Sequence, residues 1–216
     1  MKKFLLVSIL ILTGVVSAQY NSGAIKLGVF NPASTDAGFM IGYEGGWKID
    51  KSLTLGWSVD WFHKEYVDQN LVKEYSKYYG VSDYTVHEVR AKTNLHDIPV
   101  MFNATARFPV NRRTAAYLYG AIGAEILIIN YRDFHRPDND ETTWAFGLGW
   151  RLGGGISYKL GRRSELFGEV VYHNAEPSWE YEVGENPLEI PSGKRTFVRK
   201  HDMSGLIIRG GLRFYY

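Results

Sequence analysis

The sequence holds 216 residues, with 25 Lys or Arg against 23 Asp or Glu and no cysteine. Lys2 and Lys3 account for the whole formal excess of +2, so the rest is charge-balanced; this excludes nucleic acid as a partner by charge, and the missing cysteine excludes disulfides and lipoprotein acylation. Aromatic residues at 15% and 23 glycines favour strand over helix, and past the first 18 residues no apolar run reaches the ~18 residues of a membrane helix.

The chain opens on Lys2 and Lys3, continues through the apolar run Phe4–Val16, and offers small residues at Val16-Ser17-Ala18. This pattern predicts a cleaved secretory signal over residues 1–18, with Gln19 first in the mature chain. Residues 19–216 read as one domain without linker or fixed-period repeat.

Eight runs then alternate with the period of two that a strand imposes. They are Ala24–Phe30, Gly38–Ile49, Leu53–Tyr66, Leu95–Phe108, Ala115–Ile129, Trp144–Leu160, Glu165–His173 and Ser204–Tyr216. In the third, Leu53, Leu55, Trp57, Val59 and Trp61 alternate with Thr54, Gly56, Ser58 and Asp60. In the eighth, Leu206, Ile208, Leu212, Phe214 and Tyr216 share one parity, and Arg209, Gly211 and Arg213 the other. Short turns at Asp50-Lys51-Ser52, Asn111-Arg112-Arg113 and Gly161-Arg162-Arg163 alternate with longer connections at Asn31–Ala37, Val67–Asn94, Asn130–Thr143 and Asn174–Met203. Even strand number and antiparallel pairing put all short turns at one end, the asymmetry of an outer-membrane barrel. The fold class is therefore all-β: an eight-stranded antiparallel up-and-down transmembrane β-barrel.

A soluble barrel also alternates, with its apolar face inward. Here the apolar parity carries the bulk, including Trp47, Trp57, Trp61, Trp150, Tyr158 and Tyr172, while glycine and charge share the other. The interior of an eight-stranded barrel is only wide enough for side chains to fill, so the small and polar set belongs inside. An Arg or Lys facing hydrocarbon near the midplane costs roughly 2–4 kcal/mol. Lys26, Glu44, Lys48, Asp60, Arg107, Glu125, Arg151, Lys159, Glu169, Arg209 and Arg213 all take the inward parity. Opposite charges in so narrow a lumen should pair, since an unpaired buried charge is costly. The expected interior is a plug of ion pairs; a narrow passive channel is the alternative.

These residues resemble the small eight-stranded outer-membrane β-barrel families, which include the OmpA transmembrane domain and the OmpX/Ail proteins. Leu95–Phe108 (LHDIPVMFNATARF), with its internal Ile-Pro, is similar to a strand of the outer membrane protein beta-barrel domain families. The ending resembles their terminal assembly signal, with Arg209, Gly211, Phe214 and Tyr216 at the matching spacing. The resemblance implies outer-membrane lipid, lipopolysaccharide and the barrel-assembly machinery as partners, and an extracellular ligand for the loops. It implies no cofactor.

Catalytic and metal signals are thin. All six histidines, His63, His87, His96, His135, His173 and His201, fall at loop-end strand termini or in long loops, with no HxxxH spacing. The lipid A deacylases among small barrels use a His-x-Ser-Asn segment; Tyr172-His173-Asn174-Ala175 lacks that serine, and Ser178 follows too late. No catalytic, metal or cofactor residue is assigned. Val67–Asn94 carries Tyr75, Tyr78, Tyr79 and Tyr84, and Asn174–Met203 carries Trp179, Tyr181 and Phe197. Aromatics interleaved with charge make these two loops the candidates for binding at the surface.

Overall fold

Strict alternation becomes a closed wall in the computed structural model, which describes residues 22–67, 92–131, 141–183 and 195–216. Ten strands lie there: β1 (Ser22–Pro32), β2 (Gly38–Lys48), β3 (Leu53–Val67), β4 (Lys92–Pro109), β5 (Thr114–Tyr131), β6 (Glu141–Lys159), β7 (Ser164–Ala175), β8 (Ser178–Val183), β9 (Arg195–Lys200) and β10 (Gly205–Tyr215). Eight of them form an antiparallel ring in the order β1-β2-β3-β4-β5-β6-β7-β10. The ring closes through β1 and β10, paired from Ser22↔Tyr215 to Pro32↔Gly205. Closure leaves no row of unpaired backbone groups on the wall. The other two strands form a hairpin, Ser178↔Lys200 to Val183↔Arg195, joined to the wall at Phe146↔Ser178. No helix among the described residues is long and apolar enough to cross a membrane.

The two faces sort as the parity demands. Ile25, Leu27 and Val29 lie on the outer wall, about half exposed, while Ala24, Lys26 and Phe30 between and beside them are buried. The outer wall pairs aromatics across strands, with Tyr43 5.7 Å from Trp57 and Trp47 6.3 Å from Phe102 at the short-turn half. Trp150 and Tyr172 pair at 5.8 Å farther towards the loops.

All three short turns share one geometry. Ile49, Val110 and Leu160 each donate their N–H to the carbonyl four residues on, at 3.0 Å. In two of them an acceptor side chain organises the bend: Asp50 Oδ1 accepts from the N–H groups of Ser52 and Leu53 at 2.6 and 2.7 Å, and Asn111 Oδ1 from Arg113 and Thr114 at 2.9 and 2.7 Å. Those two backbone donors hold the Asp50 carboxyl below its ordinary value of 3.8. A depressed folded value means the turn is fully stabilised above pH 3.8 and loosens as pH falls through the lower folded value. An NMR titration of Asp50 should therefore show a midpoint below 3.8 in the folded chain; a midpoint at or above it would remove the two hydrogen bonds.

One close approach bears on the interior: a Cβ on Gly42 would fall 1.8 Å from Asp60 Oδ1, so glycine lets that carboxylate lie across β2. Pro99 leaves a different mark. The β3–β4 pairing passes over Asp60 and Trp61, which face Pro99 and Ile98, because Pro99 has no N–H to give.

The interior has two layers. Towards the short turns it is ionic; towards the loops it is apolar, capped by buried Phe30, Met40, Phe62, Leu127, Met203 and Ile207. Phe30 and Phe62 meet edge to face at 5.1 Å, 73° apart. This corrects the expectation of a uniformly small and polar lumen. The cap residues share the charged parity, but a loop-end interior sealed by hydrocarbon needs no counter-ions.

Candidate functional site

The ionic layer is a ladder that climbs the barrel axis. At its foot Arg107 Nη2 and Arg213 Nη1 both contact Glu165 Oε1, at 2.9 and 3.2 Å, and the Tyr215 hydroxyl donates to Glu165 Oε2 at 2.7 Å. Arg213 also reaches Glu44 Oε1 at 2.9 Å, lies over the Phe167 ring at 4.7 Å, and shares Glu44 with Lys26, 2.6 Å away. One step up, Arg209 Nε donates to Glu169 Oε1 at 2.5 Å, and the Tyr117 hydroxyl donates to Glu169 Oε2 at 2.8 Å. Arg209 Nη1 bridges to Asp60 at 3.1 and 3.2 Å, and Arg151 Nη1 donates to the same carboxylate. Asp60 is the hub, held by two guanidiniums and fully buried.

The top of the ladder changes character. Arg151 Nε donates to His173 Nδ1 at 3.0 Å, and His173 Nε2 lies 3.0 Å from Glu125 Oε1. Guanidinium nitrogen is only a donor, so Nδ1 accepts and Nε2 carries the proton that Glu125 receives. Asp97, entirely buried, stands on β4 opposite Phe62 of β3 and Leu127 of β5. Asp97, Glu125 and His173 bring one ligating atom each within 4.8 Å of one another.

Of the expected interior charges, Lys26, Glu44, Asp60, Glu125, Arg151, Glu169, Arg209 and Arg213 are buried, and Arg107 nearly so. Lys48 and Lys159 are not. They end β2 and β6 at the turn rim, exposed, where water replaces a counter-ion. Glu165, Asp97 and His173 join the ladder although they were not in the expected set. The parity signal was present: Glu165 and His173 share the phase of Glu169, and Asp97 that of Asn103 and Arg107. His173 stands near the loop end of β7, as its place in the sequence indicates, but lies sealed in the interior with Phe30 edge-on at 5.4 Å. His63 and His96 instead stack 4.5 Å apart beside Trp61. His87 and His135 lie outside the described residues, as do Tyr75, Tyr78, Tyr79 and Tyr84. Of the terminal residues, Arg209 is inside the ladder, Gly211 stands where a Cβ would run into Ile25 O and the Phe167 ring, and Phe214 and Tyr216 lie on the outer wall.

A ring of eight antiparallel strands with an apolar outer wall and an ionic interior can be compared directly with solved structures. Neisserial surface protein A aligns over 90% of this chain and 95% of its own at 10% identity, with a TM-score of 0.55. OprG, an outer membrane protein of Pseudomonas aeruginosa, aligns over 91% and 97% at 13% identity and 0.55. A major outer membrane protein of Thermus thermophilus aligns over 90% and 99% at 12% identity and 0.56. The chain has the fold of a small outer-membrane β-barrel. No family model matches its sequence, and no curated protein does. The likeness is one of fold.

Proposed function

We propose that the chain is a bacterial outer-membrane protein, exported by the cleaved signal of residues 1–18, that serves as a closed structural and surface-interaction scaffold. The observation that carries this reading is the interior. Two ion-paired clusters, Glu165–Arg213–Glu44–Lys26 and Glu169–Arg209–Asp60–Arg151, lie below the hydrogen-bonded Arg151–His173–Glu125 run and an apolar cap, so buried side chains stand at successive heights of the interior. The outer wall supports membrane residence: Leu118, Ile122, Leu152 and Ile156 are each about 60% exposed, a surface that water would penalise and hydrocarbon would not. Outer-membrane lipid and lipopolysaccharide are then its solvent, and the loop end faces outward with any extracellular ligand. The barrel-assembly machinery reads Arg209, Gly211, Phe214 and Tyr216.

Planar-bilayer recording of the refolded barrel tests the reading. It should show no steady conductance; a large, stable open level would instead favour the narrow passive channel. Deleting Phe214–Tyr216 tests the assembly signal, and the expected result is loss of heat-modifiable protein from the outer-membrane fraction. Hydrolysis of lipid A is disfavoured on a specific ground: His173 is turned inward and bonded to Arg151 and Glu125, away from any lipid substrate.

A further inference from the structure

We infer that Asp97, Glu125 and His173 form an enclosed binding site for one divalent transition-metal cation. Two observations independent of each other point there. The first is convergence: β4, β5 and β7 each deliver one ligating side chain, all three fully buried, with donor atoms within 4.8 Å of one another. Side-chain rotation closes that set onto one ion at the usual Zn–O and Zn–N distances of about 2.0–2.2 Å.

The second is an unmet charge. Every other buried carboxylate of the ladder touches a Lys or Arg: Glu44, Asp60, Glu165 and Glu169. Asp97 and Glu125 touch none among the described residues. No N–H or hydroxyl donor reaches either oxygen of Asp97 or Oε2 of Glu125, and the two carboxyl groups lie within hydrogen-bonding reach of each other. Two buried carboxyl groups facing each other are costly unless a proton or a cation lies between them. The pair has no cation in contact where an imidazole stands beside two carboxyl groups. One nitrogen and two carboxylate oxygens suit Zn²⁺ and its first-row neighbours.

Arg151 fixes the imidazole for this role. By donating to Nδ1 it aims Nε2 at Glu125, the side from which an ion would bind. Binding replaces the Nε2 proton with the ion, and that proton, together with one held between the two carboxyl groups, leaves to bulk solvent. The Phe30 and Phe62 cap closes the loop side and the ion-paired layers close the other, so loading belongs to folding.

The experiment refolds the full mature barrel with Zn²⁺, removes free ion by gel filtration, and counts zinc by mass spectrometry. Wild type should carry one more ion per chain than Asp97→Asn, which keeps nearly the same shape and whose amide can still donate to Glu125. Zinc on outer groups such as the His63–His96 pair counts equally in both proteins and cancels. Wild type refolded with Zn²⁺ should also melt at a higher temperature than wild type refolded in EDTA, a comparison that needs no variant. Equal zinc in wild type and Asp97→Asn, or a wild-type melting temperature indifferent to zinc, overturns the site. Either result would leave a proton shared by the two carboxylates as what satisfies them.

Discussion

Replacing Asp60 with alanine is expected to destabilise the barrel by about 3–5 kcal/mol, the cost of breaking a buried ion pair from one side. The expectation rests on how many partners that single carboxylate serves. Arg151 and Arg209 both point at it, none of the three side chains is more than 1% exposed, and the remaining Nη2 of each arginine already lacks a partner. Alanine would leave Arg151 with no carboxylate in contact and Arg209 with Glu169 alone. Urea unfolding of the refolded barrel in lipid vesicles measures the loss. An internal standard is available in Lys200 and Glu176, a pair 3.5 Å apart whose side chains are 66% and 58% exposed. Lys200→Ala should cost no more than about 1 kcal/mol, as exposed pairs do. If both variants lose the same small amount, the ladder is not what holds the interior.

The second large effect lies on the opposite face. Ile122→Arg should destabilise the barrel in vesicles by about 2–4 kcal/mol, the depth-dependent penalty for arginine against hydrocarbon. Ile122 is 63% exposed, mid-way along β5, with Phe102 and Trp150 opposite it on the neighbouring strands. If water bathed this wall, an exposed arginine would change stability by less than about 0.5 kcal/mol. Unaltered stability of Ile122→Arg in vesicles would therefore refute lipid as the surroundings of the barrel.

Much of this architecture could be read from the residues because a closed barrel converts parity directly into inside and outside. Trp57 and Trp61 beside Ser58 and Asp60 define both faces of β3 before any neighbour is known. Arg209 and Arg213 beside Leu212 and Phe214 do the same for β10. Three features resisted for physical reasons. Phe30 and Phe62 follow outward-facing Val29 and Trp61, so nothing local shows that the inward phase turns apolar near the loops. The β8–β9 hairpin follows a break at Pro177, where Pro177 and Ala175 still accept from His201 and Met203 although the alternation has lost its phase. The Asp97–Glu125–His173 set is drawn from three strands, and only the register of β4 on β5 and of the barrel as a whole brings them together. Lys48 and Lys159 show the converse limit, since parity names a face but not a height on it.

The ladder also sets an order of events. Glu44 and Asp60 are synthesised early, yet Arg213 and Arg209, which complete their neutralisation, follow 169 and 149 residues later. Until β10 docks, Glu169 touches no cation at all and three other carboxylates have lost one. A half-built sheet is thus doubly penalised, by its raw edges and by an acidic inner surface in search of countercharge. Zipping β10 between β1 and β7 relieves both at one stroke, which favours the closed ring over a partly assembled sheet.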